Sequence, residues 1–275
     1  MMARASPRGE AAAIVVAPSE AALRAPAVAS AIRILDFLAT QSPRAGVTEL
    51  SRGLDINKST CFNILATLSH FGVVTRLPGI AKYQLGPKLA ELGSAVRKHF
   101  WHRDLLRTHF ERLFADTRLL CVIGQMLGNE ESFVIIDQIA PIGQKAKIPA
   151  HPVGTVLPLT GAAMGRALLS CLDEEDAIAI TRSLSASVKP GHDKTWRTKL
   201  REIRTRGYDT SLEEFQRGVN AVAVAIERAG EAYLAVALIG YVHDFPARRI
   251  DEMGRKLASD AAQFQERMEL AYADA

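Results

Sequence analysis

The residues best suited to binding chemistry lie in one stretch, where a predicted helix carries small polar and basic side chains opposite an apolar stripe. We expect this helix to begin after Asn57, whose side-chain oxygen can accept a hydrogen bond from a backbone N–H of the first turn. The apolar stripe recurs at helical spacing and consists of Cys61, Ile64, Leu65, Leu68 and Phe71. The residues off the stripe are Lys58, Ser59, Thr60, Phe62, Asn63 and Thr67. Short polar and basic side chains in the first two turns are what a helix needs to reach base edges and phosphates in the major groove of DNA.

Neighbouring elements are predicted to hold this helix in place. A short helix over residues 49–53 and a turn over residues 54–56 precede it, and Gly72 is a suitable residue to end it. Strands over residues 73–76 and 82–85 then flank a Pro-Gly loop and form a basic hairpin. This order is that of a winged helix-turn-helix DNA-binding module, although a small α/β unit of another function can show the same pattern.

The sequence contains no set of residues with catalytic spacing. A Gly-x-Ser-x-Gly nucleophile elbow and a phosphate-binding Gly-Lys-Ser/Thr loop are both absent from it. His99 and His102 stand three residues apart on a predicted helix and could clip a metal ion. With no carboxylate at helical spacing, the pair is better explained as a helix end at a domain junction. We therefore predict no catalytic residues, no metal site and no cofactor, and a protein that is not an enzyme.

The distribution of charge along the chain favours a nucleic-acid partner. Residues 1–100 contain 12 lysines and arginines against 6 acidic residues, whereas the remainder of the 275-residue chain contains 22 against 24. The basic excess thus lies in the part that holds the predicted module, as a phosphate-binding surface requires. A solvated basic face would show the same excess, so the count supports DNA binding without proving it.

The cysteines and the hydropathy pattern bear on where the protein works. The three cysteines, Cys61, Cys121 and Cys171, are far apart in apolar surroundings, which favours reduced thiols in a cytoplasmic protein. No apolar run approaches the ~20 residues that a membrane span needs, so no membrane partner is expected. Residues 1–26 are rich in Ala, Pro, Ser and Arg and are expected to form a flexible arm. Their faint likeness to a secretory signal is interrupted by Glu10.

Two amphipathic helices are predicted to frame the module. The first covers residues 28–40, with Val28 and Ile32 among its apolar residues, and would pack under the helix-turn-helix. The second, over residues 87–100, repeats Leu89, Leu92, Val96 and Phe100 on one side. Because it stands between two domains, we expect this stripe to pair with a second copy of the chain, which would place two reading helices on a palindromic site. Packing against the protein's own chain is the alternative.

The remainder of the chain is predicted to be an α+β domain with an antiparallel sheet. Two pairs of apolar strands are separated by hairpin signals, and the other long segments have helical periodicity. The strands are expected over residues 119–127, 132–139, 219–226 and 232–239, and the helices over residues 159–172, 173–183, 193–206 and 250–272. These patterns give a flexible arm (1–26), a winged helix-turn-helix domain (27–86), a linker and dimerisation helix (87–103) and an α+β domain (104–275).

Five segments in the same order and spacing resemble the IclR-type bacterial transcription regulators. They are AIRILDFL at 31–38, GLDINKSTCFNILATLSHFGVV at 53–74, YQLGPKLAELGS at 83–94, VGTVLPLTGAAMGRALLS at 153–170 and RGYDTSLEEFQRGVNAVAVAI at 206–226. The resemblance covers residues 28–270. It implies an N-terminal winged helix, a linker helix that dimerises and a C-terminal GAF-like domain that binds a small organic effector.

Carried over by position, the resemblance places the DNA-reading helix at residues 58–67 and wing contacts at Arg76, Lys82 and Tyr83. Members of the family often have a His-Arg pair where this chain has Phe62 and Asn63. Asn63 could pair with an adenine edge, and Phe62 could touch a thymine methyl group. The recognised sequence is therefore expected to differ from those common in the family.

The positions that match the family's effector pocket are more apolar here. They are Ala163, Met164, Ser211, Ala221, Ala237 and Ile239. Ser211 stands where Asp is frequent, Ala221 where Cys is frequent, and Ala237 and Ile239 where hydroxyl residues are common. We infer an aromatic or otherwise largely apolar acid as effector rather than a two- or three-carbon keto acid. Alternatively these residues simply fill a core, and Ser211 forms a capping box with Glu214 at a helix start.

Together these observations predict a cytoplasmic, sequence-specific DNA-binding transcriptional regulator whose operator affinity is modulated by a small organic effector. Its expected partners are a double-stranded DNA operator, the effector and a second copy of the chain in a homodimer, with a tetramer as the alternative. The competing interpretation is a small-molecule-binding or enzymatic α+β domain that keeps a degenerate winged helix for dimerisation.

Overall fold

The computed structural model describes residues 24–99, 106–110, 117, 119–128, 131–140, 150–228 and 231–273. The chain divides into two compact units between residues 101 and 102. Most of the predicted N-terminal arm, together with Phe100 and His102, lies outside the described residues.

The first unit is a three-helix cluster with a small hairpin and a following helix. Its elements are α1 (Pro26–Thr40), α2 (Val47–Leu54), α3 (Lys58–His70), β1 (Val74–Arg76), β2 (Tyr83–Leu85) and α4 (Pro87–His99). The core between them is built from one side of each helix and the inward residues of the hairpin, including Ile34, Leu38, Leu50, Cys61, Leu65, Val74 and Tyr83. This confirms the predicted helix-turn-helix and hairpin.

Three residues assigned to apolar stripes in the sequence are exposed. Phe71 is the C-cap of α3 and turns away from the core, because the helix ends at His70. Val28 and Ile32 lie on the outer side of α1, which buries Ile34, Phe37 and Leu38 instead. Assigning them to the core of this unit was therefore wrong.

One backbone conformation and two side-chain hydrogen bonds hold the turn between α2 and α3. Asp55 adopts the left-handed conformation with φ 52°, which reverses the chain after α2. The Ser51 hydroxyl donates to the carbonyl oxygen of Ile56 at 2.7 Å, and the Arg33 guanidinium donates to that of Leu54 at 2.6 Å. The bond to Leu54 satisfies a carbonyl group that the end of α2 would otherwise leave unpaired, and the bond to Ile56 ties the turn to α2.

The hairpin is joined tightly both to the end of α3 and to the start of α4. The N–H of Gly86 donates to the carbonyl of Val73 at 2.8 Å, and the N–H of Lys88 donates to that of Gly72 at 3.2 Å. A Cβ atom at Gly86 would lie 2.2 Å from the Gly72 carbonyl oxygen, so the two backbone segments can approach this closely only because residue 86 is glycine.

Helix α4 carries apolar side chains that its own unit does not cover. Leu92 is 48% exposed and Val96 is 59% exposed, whereas Leu89, one turn earlier, is half-buried. Within the described residues of the first unit, the central part of this stripe therefore has no packing partner.

The second unit is a six-stranded antiparallel sheet with helices on both faces. Its elements are β3 (Leu120–Met126), β4 (Ser132–Ile139), β5 (Val156–Pro158), α5 (Ala163–Cys171), α6 (Glu174–Ser183), α7 (His192–Arg206), β6 (Asp209–Leu212), β7 (Val219–Arg228), β8 (Glu231–Tyr241) and α8 (Ala247–Ala273). The strand order is β5-β4-β3-β8-β7-β6, with every pair antiparallel. The α+β class and the four long strands are confirmed. The edge strands β5 and β6 were not predicted.

Alternate residues of the central strands bury against different helices. Cys121, Ile123 and Val236 belong to the core that α8 covers. Val122 and Ala237 belong to the core on the other face, where α5 packs. This period-two separation is expected when both faces of a sheet are buried.

The described part of the chain contains no helix long and apolar enough to cross a bilayer. The three cysteines are free thiols, and two of them, Cys61 and Cys121, are fully buried.

Candidate functional site

The outer side of α3 presents all six residues that the sequence predicted for DNA reading. Lys58, Ser59, Thr60, Phe62, Asn63 and Thr67 are each exposed. Asn57 caps the helix as expected, since its side-chain oxygen accepts the N–H of Ser59 at 2.9 Å. The opposite side is anchored by Cys61 and Leu65, both fully buried.

The hydrogen bonds that these side chains already make limit which further hydrogen bonds they can form with DNA. The Ser59 hydroxyl donates to Asn57 at 2.7 Å, and the Thr67 hydroxyl donates to the Asn63 carbonyl at 2.9 Å, so both retain acceptor capacity only. The side chains of Lys58 and Asn63 have no hydrogen-bond partner among the described residues. Lys58 is therefore suited to a phosphate, and Asn63 to the paired donor and acceptor of a base edge.

The hairpin contributes two exposed cations and a buried tyrosine. Arg76 is exposed at the end of β1. The Lys82 ammonium lies 3.7 Å from the Glu49 carboxylate and 3.4 Å from the carbonyl oxygen of Arg44. Tyr83 is only 6% exposed, because it packs in the core of the unit while its backbone pairs with Ala45. The prediction of a DNA contact for the Tyr83 side chain is therefore wrong.

The second unit contains a cavity between the sheet and the start of α5. The space free of protein atoms within and in front of it is about 610 Å³, a figure that includes open solvent at its mouth. All six predicted effector positions line it: Ala163, Met164, Ser211, Ala221, Ala237 and Ile239. The structure thus brings together residues from one helix and three strands.

The lining of this cavity is mostly apolar. Thirteen of its sixteen described residues are apolar, and the other three are His151, Ser211 and Gln216. Helix α5 begins at the wall, where Ala162 is its N-cap and makes no side-chain cap hydrogen bond. Backbone N–H groups of a first helical turn have no intrahelical partner and attract negative charge. The cavity therefore combines an apolar interior with a few groups able to bind an acid.

Ser211 lines the cavity and does not lie at the start of a helix. It lies in β6, opposite Ala221 of β7, and is 3% exposed. Its hydroxyl has no hydrogen-bond partner within the described residues. The alternative of a capping box with Glu214 is wrong, because β6 is a strand and the Glu214 carboxylate instead accepts a hydrogen bond from Arg166 at 2.9 Å.

A buried ion-pair network holds β6 against α5. Arg166 of α5 is largely buried, and its Nε lies 2.5 Å from the carboxylate of Asp209, which is fully buried. Lys199 and Arg206 approach the other carboxylate oxygen at 3.0 and 3.1 Å. Breaking such a network from one side leaves uncompensated buried charge, at a cost of about 3–5 kcal/mol. The network therefore fixes the strand that carries Ser211.

Two aromatic side chains meet at the cavity from different segments. The rings of His151 and Phe215 are in edge-to-face contact, with centroids 5.3 Å apart and planes at 73°. Phe215 lies in the loop after β6, where Glu213 has a positive φ and its carboxylate accepts the N–H of Gly218 at 2.8 Å. Burial lowers the pKa of His151.

Sequence reasoning missed His151, Phe215 and Gln216. They lie in segments without helical or strand periodicity, so no pattern marked them as part of a wall. Glu213 and Gly218, which shape the loop, also gave no signal, because a non-glycine residue with positive φ cannot be recognised from its type alone. Among the described residues, no group of three or more His, Cys, Asp or Glu side chains could hold a metal ion.

Two family models match the chain. One, described as the IclR helix-turn-helix domain, matches residues 27–78, and the other, described as Bacterial transcriptional regulator IclR C-terminal, matches residues 102–265.

Individual proteins show the same relationship. The chain is 29% identical to the HTH-type transcriptional regulator XynR of Escherichia coli K12 over 203 residues, which cover 72% of this chain and 79% of the relative. An IclR transcriptional regulator from Alicyclobacillus acidocaldarius has a TM-score of 0.73 at 26% identity, covering 89% of this chain and 99% of that one. An IclR homologue from Microbacterium hydrocarbonoxydans, crystallised in complex with 4-hydroxybenzoate, has a TM-score of 0.63 at 18% identity, covering 87% and 99% of the two chains.

Proposed function

Because the chain belongs to the IclR family of bacterial transcriptional regulators, we propose that α3 and the hairpin bind an operator and that the cavity holds a carboxylic acid with an aromatic or alicyclic ring. Family membership makes the protein a DNA-binding transcriptional regulator with an effector-binding C-terminal domain. The proposal adds which residues do the binding and which class of effector they take. It also adopts the division into residues 27–86, 87–103 and 104–275 as DNA-binding, linker and effector regions.

The DNA contacts divide by chemistry into reading and anchoring groups. Asn63 can bond to an adenine edge, and Phe62, which is exposed beside it, can contact a thymine methyl group. Lys58, Arg76 and Lys82 supply charge for phosphates, which position the protein without reading sequence. The observation that supports this assignment is the exposure of the polar side of α3, with Lys58 and Asn63 lacking partners among the described residues.

A gel-shift assay with DNA from the chain's own promoter region tests this part. Specific retention whose affinity falls steeply with salt supports the regulator. Failure to retain any fragment at low salt would favour the competing interpretation, in which the winged helix serves only for dimerisation.

The apolar lining supports the proposed effector class. A two- or three-carbon keto acid would leave much of a wall of thirteen apolar residues without contacts, whereas a six-membered ring would contact more of it. Ser211 and the first turn of α5 then stand ready for the carboxylate. The fold that this chain shares with the 4-hydroxybenzoate complex is compatible with such a ligand. Since the relatives are regulators, we assign the cavity a binding role and not a catalytic one.

Isothermal titration calorimetry with benzoate, 4-hydroxybenzoate and cyclohexanecarboxylate, against pyruvate and glyoxylate, tests the effector class. The ring acids are expected to bind at least tenfold more tightly. An Ala221→Leu variant, which adds bulk inside the cavity, should lose this binding while its specific DNA retention without ligand is unchanged. Binding by the keto acids alone would overturn the proposal, and binding by none would mean that the residues merely fill a core.

The exposed stripe on α4 supports self-association. Leu92 and Val96 present apolar surface that a second α4 would cover, and a two-fold dimer would place two copies of α3 on successive major grooves. Effector binding would then change operator affinity through the relative placement of these helices, by an allosteric coupling of about 1–3 kcal/mol.

A further inference from the structure

We propose that His151 makes effector binding proton-coupled, so that the acid enters as its carboxylate together with one proton taken up by the imidazole. This inference rests on the effector class proposed above. It names His151 as the side chain that distinguishes an acid from its neutral analogue.

The position of His151 is set by contacts that leave its ring nitrogens available. Its carbonyl oxygen accepts a hydrogen bond from the side chain of Gln138, which holds the backbone against β4. Its ring packs against Phe215 and lines the cavity. Neither ring nitrogen has a hydrogen-bond partner among the described residues.

A carboxylate bound in this cavity requires a group that can balance its negative charge. Moving a carboxylate from water into an apolar cavity is costly unless an opposite charge or several hydrogen bonds compensate it. No lysine or arginine is among the described residues that line the cavity. The first turn of α5 offers a partial charge of about half a unit, and Ser211 offers one hydroxyl donor. His151 is the one described lining side chain that can become a full cation.

The charged groups on the elements around His151 are already paired or lie outside the cavity lining. On β4, Asp137 faces Arg107 at 3.9 Å. In the loop after β6, the Glu213 carboxylate accepts a backbone N–H, and Arg217 is exposed outside the lining. Segment 150–155 and β5 carry no other ionisable side chain.

The remaining neighbours are accounted for in the same way. On α5, Arg166 is bound to Asp209 and Glu214. Lys145 and Lys147 precede His151 in the chain and lie outside the described residues. No carboxylate in the described lining holds a proton on His151, and burial lowers its pKa, so the neutral form is favoured in the free protein.

A bound carboxylate reverses this balance. A nearby anion raises the pKa of an imidazole, so a proton is taken up on binding at any pH between the pKa of the free protein and that of the complex. The apparent affinity for the acid should then fall about tenfold for each unit of rising pH in that window, because one proton is a co-ligand. A neutral analogue such as benzamide gains nothing from the proton and should bind independently of pH.

Titration of the full-length protein with benzoate at pH 7.5 in HEPES and in Tris tests this directly, since the two buffers differ in ionisation enthalpy. The wild-type protein should take up protons on binding, at most one per benzoate, and its affinity should fall from pH 7.5 to 8.5 by at most about tenfold. His151→Gln should bind benzoate more weakly, without proton uptake and with little pH dependence. His192→Gln is the matched control, because its ring is half-buried and bonded to Thr181 away from the cavity, and it should behave as wild type.

The outcomes separate this inference from the proposed effector class. If benzoate binds without proton uptake, or if His151→Gln retains the uptake, the role of His151 is refuted and the ring-acid class stands. If no ring acid binds to the wild-type protein, both proposals fail. Thermal unfolding of each variant shows whether a lost signal reflects a lost fold.

Discussion

Replacing Lys82 by alanine separates the anchoring role of the hairpin from the reading role of α3. In the free protein the Lys82 ammonium pairs with Glu49 at 3.7 Å, and both side chains are close to half exposed. Surface pairs of this kind contribute about 0–1 kcal/mol to stability. The variant should therefore unfold within a few degrees of wild type, and any large change in DNA affinity would come from the interface.

The size of that change follows from counterion release. Each phosphate contact contributes about 0.9 to the slope of log affinity against log salt concentration. If the contact contributes nothing at 1 M salt, losing it weakens DNA binding at 0.1 M salt about 8-fold. A dimer on a palindromic operator loses two contacts, which gives about 60-fold and a slope smaller by about 1.8. The loss should be the same for every DNA sequence, because phosphates carry no base identity.

Fluorescence anisotropy with the operator and a scrambled duplex, over a series of salt concentrations, measures both quantities. Asn63→Ala should instead leave the slope unchanged and lose about 1–3 kcal/mol of discrimination at one base position. Lys194→Ala removes an exposed lysine from α7 in the other unit and serves as the charge control. An unchanged slope for Lys82→Ala, or an equal loss on all sequences for Asn63→Ala, would refute the assignment of these roles.

Three further outcomes follow from the packing. Leu92→Glu should convert dimers to monomers in sedimentation velocity. It should not lower the melting temperature of the monomer, because the Leu92 side chain is exposed on α4. Persistence of the dimer would place the interface elsewhere. Gly165→Ala should destabilise the protein by about 1–3 kcal/mol in urea unfolding, since a Cβ there would lie 2.3 Å from the carbonyl oxygen of Leu159. An unchanged urea midpoint would show that α5 can shift to make room. Burial, with a smaller contribution from neighbouring carboxylates, raises the pKa of both Cys121 and Cys171 to about 12. At pH 8 roughly one in ten thousand of each thiol is ionised, so iodoacetamide should modify them only after denaturation, and rapid labelling of the native protein would contradict this.

The helices and long strands could be predicted because each contains several residues that repeat the apolar and polar spacing of its type. Asn57 and the buried Cys61 and Leu65 identify α3 from three independent positions. The errors lie where the prediction of an element's end depended on a single residue. Phe71 has the right spacing to extend the stripe, but the helix stops one residue earlier and the spacing no longer applies.

The cavity was predictable in part for a related reason. The six positions on α5, β6, β7 and β8 follow from the family resemblance, because a shared fold carries them to the same place. Strand β6 itself was missed, since Asp209, Thr210 and Ser211 are polar and a four-residue edge strand has too few repeats to show a period. Asp209 is buried only because three cations surround it, and this is a property of tertiary structure.

The hydrogen bonds that tie Gly86 and Lys88 to the segment directly after α3 have a mechanical consequence. They hold the first turn of α4 against the segment that follows the reading helix, so we expect a rotation of α4 to turn the reading helix with it. In a two-fold dimer, a small twist of both α4 helices would change the spacing and tilt of the two reading helices together. DNA repeats its major groove about every 34 Å, so even a modest mismatch in that spacing would be felt as lost affinity at both half-sites.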